Sequence, residues 1–125
     1  MAPPRYRSAR RDESLLVAAL TMQAARAEGR TIPEKFMDRF AETWLALDGQ
    51  HPVWICEFDG EHVGFLQAAR IRPLPWPGVS GGGELREERL FVHAEHAEQG
   101  FDVGLRAAAA AWAASRGVRW VPADG

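Results

Sequence analysis

The sequence predicts an α+β protein built on a mixed sheet, with elements in the order β-α-α-β-β-β-α-β. Two stretches before residue 50 repeat their apolar residues at helical spacing. The segment from Val53 to Ala68 is β-branched and aromatic, and Asp59-Gly60 splits it. An alanine-rich run from Phe101 to Arg116 stands between two strand-like segments, which should leave the last two strands locally parallel.

Arg5 to Ala9 reads as a short edge strand behind a frayed start at residues 1 to 4. From Arg11 to Glu28, Leu15, Ala19 and Met22, with Leu16, Leu20 and Ala24 beside them, mark a first helix that Gly29 stops. Thr31-Ile32-Pro33-Glu34 has the form of a capping box, with Pro33 in the first turn where its missing N–H costs nothing. The second helix carries Phe36, Phe40 and Trp44, with Met37, Ala41 and Leu45, on one broad stripe as far as Asp48-Gly49. Asp59-Gly60 then predicts an antiparallel hairpin, because both central residues of a type I′ turn take positive φ. Arg72 to Gly83, with three prolines and four glycines, is a loop. Leu85 to Val92 is a strand, Phe101 to Arg116 a helix with Gly117 at its C-cap, and Val118 to Val121 a short strand.

Composition narrows the function. With 125 residues, 46% hydrophobic and 26% charged, residues 1–125 suit one domain whose core needs no disulfide. Cys56 is the only cysteine, it lies in an apolar strand, and no CxxC or His/Cys cluster suits zinc. No metal is therefore expected, and the cytoplasm is the expected compartment. No run approaches the roughly 20 apolar residues of a membrane span, and the first residues lack the apolar core of a signal peptide. The net charge of -2 offers nucleic acid no general attraction, and Arg5, Arg7, Arg10 and Arg11 read as a solvated face. A nucleic-acid-binding module is the most distant reading. His51 and His62 have no context, His93 and His96 are expected to face solvent, and Gly81-Gly82-Gly83 lacks the GK[ST] of a phosphate loop.

The chemistry concentrates between Glu87 and Leu105, where a strand passes through a short loop into a long helix with glycine at the junction. That layout turns unpaired N–H groups and the positive end of a helix dipole toward an anion such as a pyrophosphate. Glu88-Arg89-Leu90-Phe91-Val92 with Glu95-His96, then Gln99-Gly100, the alanine-rich helix and Arg116-Gly117-Val118, resembles the GNAT acetyltransferase superfamily from about Arg5 to Val121.

The resemblance implies a GNAT-like acyl-CoA N-acyltransferase fold, C-terminally short and lacking the family's usual last helix and two strands. It implies acetyl-CoA as co-substrate, and a bulged strand at Leu85 to Val92 that splays from the next. Amides near Phe91 and Val92 would polarise the thioester carbonyl, and those of Gln99, Gly100, Phe101, Asp102, Val103 and Gly104 would hold the pyrophosphate. Glu88 falls where many members carry an acidic residue and is the implied base. Glu87 is the alternative, since strand alternation sends the two to opposite faces. Pocket walls would come from the segment between the helices, with Arg30, and from the proline-rich loop, with Trp76. The acceptor would be a small-molecule amine or a protein amino group, attacking the thioester directly in a ternary complex. In the family a tyrosine beyond the last strand often reprotonates CoA; the only tyrosine here is Tyr6. A bare sheet edge at the C-terminal end would be covered by a homodimer or a partner chain.

The loop departs from the family pattern Arg/Gln-x-x-Gly-x-Gly/Ala. It reads Ala97-Glu98-Gln99-Gly100-Phe101-Asp102, so Gly100 alone keeps its place. Glu95, Glu98 and Asp102 surround the site, and no Lys or Arg lies between Arg89 and Arg106. At 4 to 6 Å in an effective dielectric near 20, each carboxylate would oppose a phosphate by roughly 3 to 4 kcal/mol before salt screening. Asp102 can instead act as the helix's own N-terminal acid. Two readings follow: an acetyl-CoA-dependent N-acetyltransferase, or a GNAT-like module without cofactor that serves as a protein-binding or assembly subunit.

Overall fold

A computed structural model describes residues 2–79 and 82–123. Met1 in the expected frayed start and Gly81 of the triple glycine lie outside the described residues. The chain runs β1 (Arg5–Ser8), α1 (Ser14–Ala27), α2 (Phe36–Ala46), β2 (Val53–Phe58), β3 (Glu61–Ile71), β4 (Glu84–Val92), α3 (Phe101–Ser115) and β5 (Arg119–Val121). This is the order the sequence predicts. Short 3-10 turns at Arg11–Glu13 and Ala94–His96 precede α1 and α3.

The strands form one sheet in the order β1-β2-β3-β4-β5. The first three pairings are antiparallel, and β4 with β5 is parallel, as a strand-helix-strand crossover requires. Asp59 and Gly60 take φ of 54° and 81°, the two positive values a type I′ turn needs, so β2 and β3 form the expected hairpin. Strand β2 reads as a continuous apolar run because both its faces are covered. Trp54 and Cys56 join Leu66, Ala68 and Leu85 under Leu105, Ala109 and Ala113 of α3. Val53 and Ile55 join Phe65 under Val17 and Leu20 of α1. Helix α2 buries no residue fully; it leans on this second cluster through Phe40 and Trp44.

Its start differs from the expected capping box. The helix begins at Phe36 without a side-chain cap, and Lys35 before it is left-handed at φ 59°. A left-handed residue cannot continue a helix, so Pro33 and Glu34 are cut off from the apolar stripe that α2 buries. A capping contact forms instead at the 3-10 turn that precedes α1, where the Glu13 carboxylate accepts from the Arg10 N–H at 2.7 Å. Glu13 also accepts two bonds from Arg7, at 2.7 and 2.8 Å, while Arg7 Nε donates to Glu57 at 2.6 Å. This network ties β1 to β2 and to the start of α1. Arg10 pairs with Asp12 and Arg11 with Asp48, so much of the N-terminal arginine cluster is neutralised within the fold. No helix among the described residues is long and apolar enough to cross a membrane.

Gly104 lets β1 reach α3. A Cβ there would stand 1.9 Å from the Tyr6 ring, so the helix seats on the strand only because this position has no side chain. Gly104→Ala should destabilise the protein by about 2 kcal/mol through overpacking, read as a lower urea midpoint. Combining it with Tyr6→Ala should give a penalty well below the sum of the two single changes.

Hydrogen bonding from Arg7 is the main cause that lowers the Glu13 carboxyl from 4.5 to about 2, with burial opposing. The folded form is thus the more acidic one, so this contribution is complete above about pH 4.5 and is lost as pH falls toward about 2. Thermal melts of wild type and Glu13→Gln should differ at neutral pH, and the wild-type advantage should shrink steadily across that acid window.

Candidate active site

Strand β4 contains one residue more than its neighbour. Gln67 pairs with Arg89 and the next residue, Ala68, with Glu87, which leaves Glu88 without a partner as a β-bulge. The bulge changes which residues face which layer. Before it, Leu85 and Glu87 face α3; after it, Leu90 and Val92 do, while Phe91 packs with the α1 cluster. Glu87 and Glu88, adjacent in the strand, lie on opposite faces by ordinary alternation.

The Glu87 side chain, 2% exposed, takes a bidentate bond from Arg106 of α3 at 2.9 and 3.0 Å. That bond is the main reason the Arg106 pKa is raised, and Asp102 adds a smaller push. Glu88 sits on the opposite face at the surface. Its Oε1 lies 2.9 Å from His51 Nδ1 and accepts from Gln67 Nε2 at 3.0 Å. Both contacts use the same oxygen, so Oε2 has no hydrogen-bond partner among the described residues.

The second consequence concerns the strand's edge. β5 pairs with β4 only through Glu84, Leu85 and Arg86, and from Glu87 to Val92 that edge has no strand partner among the described residues. Successive residues in a strand turn their N–H groups alternately to the two sides. The His93 N–H donates to Val63 of β3 at 2.9 Å, so the N–H groups of Leu90 and Val92 point away from β3, into the opening slot. Of the expected pair, Val92 supplies the slot-facing amide, whereas the Phe91 N–H turns toward β3.

Beyond Val92 the chain passes through the Ala94–His96 turn to Gly100, left-handed at φ 77°, and α3 begins. The Gly104 N–H makes the first helical bond, to Gly100, so those of Phe101, Asp102 and Val103 precede the ladder at the positive end of the dipole. The Gln99 N–H is already committed to the His96 carbonyl at 3.1 Å, which removes it from the expected cradle. Glu95 and Glu98 are exposed and Asp102 half-buried. Facing water, a carboxylate 4 Å from a phosphate opposes it by about 1 kcal/mol rather than three or four. Repulsion from the exposed Glu95 and Glu98 is therefore weak, and the half-buried Asp102 keeps more of it.

A cavity of about 190 Å³ opens beside Glu88, between α2 and the sheet. Its walls include Phe40, Thr43, Trp44, Leu47 and Val53, and both partners of Glu88, His51 and Gln67, lie on it. Neither Arg30 nor Trp76 lines it. Arg30 is exposed and pairs with Glu28 at 3.2 Å, and Trp76 is exposed in the 72–83 loop, bridged to Val79. Trp44, which packs against the α1 cluster, is also a wall of this cavity.

His51 and Gln67 were invisible as site residues in the linear sequence, although the hairpin register that sets Val53 opposite Gln67 was the signal that could have joined them. His93 and His96 are not simply solvent-facing: His93 packs edge-on to Phe91, and His96 lies against Phe58 and Phe101. With Glu61 and Glu95, His96 forms a surface group whose ligand-capable atoms lie within 4.8 Å of one another. Cys56 is buried, and burial pushes its thiol up to about 11, so it stays protonated at neutral pH.

Residues 17–123 match the acetyltransferase (GNAT) family. A predicted acetyltransferase with acetyl-CoA from Clostridium acetobutylicum superposes with a TM-score of 0.76 at 13% identity, over 98% of this chain and 82% of that one. Ribosomal-protein-alanine N-acetyltransferase from Brucella melitensis biovar Abortus 2308 gives 0.75 at 22% identity, over 96% and 80%. An aminoglycoside acetyltransferase from an uncultured soil metagenomic sample, solved with sisomicin, gives 0.76 at 13% identity, over 98% and 78%. No curated protein matches the sequence. The shared architecture is the GNAT acyl-CoA N-acyltransferase fold.

The Glu87–Arg106 pair fixes α3 against β4. Arg106→Leu leaves a carboxylate buried without its counter-charge and should cost about 3 to 5 kcal/mol in urea unfolding. Adding Glu87→Leu should recover most of that loss.

Proposed function

The chain belongs to the acetyltransferase (GNAT) family, and we propose that it transfers the acetyl group of acetyl-CoA to an amine, by direct attack within a ternary complex, with Glu88 as the base. The bulge at Glu88 carries the reading. It lies where one edge of β4 runs without a β5 partner beside α3, and on the other face the Glu88 carboxylate meets His51 and Gln67, two residues that line a cavity.

Acetyl-CoA, when bound, supplies a thioester whose carbonyl carbon takes the amine nitrogen; the C–N bond forms, the C–S bond breaks, and the nitrogen's second proton leaves with the sulfur, so that CoA departs as its thiol. The Val92 N–H donates to the carbonyl oxygen as negative charge gathers there. The amides of Phe101, Asp102 and Val103 hold the pyrophosphate at the helix N-terminus. Glu88 accepts the proton that the ammonium must lose before its nitrogen can attack. Gln67 and His51 fix Oε1, which leaves Oε2 to face the amine. Glu87 stays with Arg106 and has no part in proton transfer. We place the protein in the cytoplasm, with the edge of β5, which has no strand partner among the described residues, as the surface where a second copy or a partner chain would extend the sheet.

The acidic loop favours one alternative, a cofactor-free module that binds a partner protein: Ala97, Glu98 and Asp102 supply no cation where the family's side chains commonly assist. Calorimetry with acetyl-CoA separates the two. Binding by the wild type supports the enzyme, whereas binding only after Ala97→Arg with Asp102→Gly supports the module.

Glu88→Gln should lower kcat/KM for acetyl transfer by roughly 10²- to 10⁴-fold while the Kd for acetyl-CoA stays within about twofold. Unchanged turnover in that variant would remove Glu88 from the chemistry.

A further inference from the structure

The cavity beside Glu88 has the dimensions and lining to select an acceptor. Phe40, Trp44, Leu47 and Val53 make its walls apolar. Phe40 and Trp44 lie nearly parallel, with ring planes 18° apart and centroids at 6.3 Å. The indole is held in place, since Trp44 Nε1 donates to the Arg11 carbonyl at 2.9 Å. An apolar cavity of about 150 Å³ admits benzene, so the 190 Å³ found here takes one ring with a short tether.

Charge then orients the guest. Asp48 on the same wall is paired with Arg11 at 3.3 Å, while Glu88 keeps an oxygen with no partner among the described residues. We infer that the acceptor is a primary amine joined by a short alkyl chain to a single apolar ring, an arylalkylamine, with its ring in the cavity and its nitrogen at Glu88 Oε2. This deepens the reading of Glu88 as the base and rests on it. The hydroxyls of a polyhydroxylated aminoglycoside would lose water against the Phe40–Trp44 wall without regaining hydrogen bonds.

The test uses the full chain in two arms. In the first, 2-phenylethylamine, ethylamine, kanamycin and an alanyl peptide are titrated into the protein without cofactor. The second compares kcat/KM for the same amines with acetyl-CoA. 2-Phenylethylamine should bind at least tenfold more tightly than each of the others and show at least a tenfold higher kcat/KM.

Thr43→Trp, which fills the cavity from an exposed position on α2, should collapse that preference. Phe40→Leu, which removes one aromatic wall, should weaken it severalfold and serves if the first variant fails to fold. Equal binding of ring-bearing and ring-free amines, a preference for kanamycin or the peptide, or a preference that survives both substitutions would overturn the inference. Acetyl transfer without ring preference would sink the pocket assignment and leave the enzyme reading standing. Ring preference in binding without any acetyl transfer would do the reverse.

Discussion

A strand that carries one residue more than its neighbour cannot keep both faces and both edges in register. In β4 that residue is Glu88, and the features of the site follow from its insertion. Glu87 and Glu88 lie on opposite faces by ordinary strand alternation, and the bulge shifts the phase beyond them, so that Leu90 and Val92 face α3 while Phe91 faces α1. Glu87 enters the α3 layer, where Arg106 neutralises it, and Glu88 emerges beside His51 and Gln67. Beyond it, β4 runs without a partner on its β5 side, so the amides of Leu90 and Val92 point into a gap rather than across a ladder. Unpaired backbone donors are costly when buried and valuable when aimed at developing charge.

The electrostatics of the loop divide between backbone and side chain. Side chains alone describe a poor anion site: three carboxylates, and no Lys or Arg in the sequence between Arg89 and Arg106. Backbone groups describe a good one, with successive amides at the head of a helix of 15 residues. Exposure decides between them, because Glu95 and Glu98 project into water, which weakens their repulsion several-fold, while the amides and the dipole are fixed by the fold.

Much of the fold was legible in the linear sequence because its signals are local. Asp59-Gly60 names its own turn, the apolar run of β2 names a strand covered on both faces, and the alanine run of α3 ends where a glycine permits it. The start of α2 was not, since Thr31 to Glu34 carries a valid local signal that the left-handed Lys35 overrides. Long-range site features were harder still. Glu88 could be singled out, but nothing in its neighbourhood names His51, 37 positions away, or shows that Glu87 meets an arginine on the next helix. Arg30 and Trp76 stood on segments expected to wall the pocket, and neither lines the cavity beside α2. Such contacts depend on register and on layer packing, which no short motif encodes.

The central claim is that backbone donors, freed by the bulge and by the start of α3, receive acetyl-CoA in spite of the acidic loop. The most direct measurement is an amide-resolved NMR titration of the ¹⁵N-labelled protein with acetyl-CoA. The account predicts saturable shifts concentrated at Leu90, Val92, Phe101, Asp102 and Val103. Absence of saturable shifts, or shifts confined to residues away from the β4 edge and the start of α3, would contradict it.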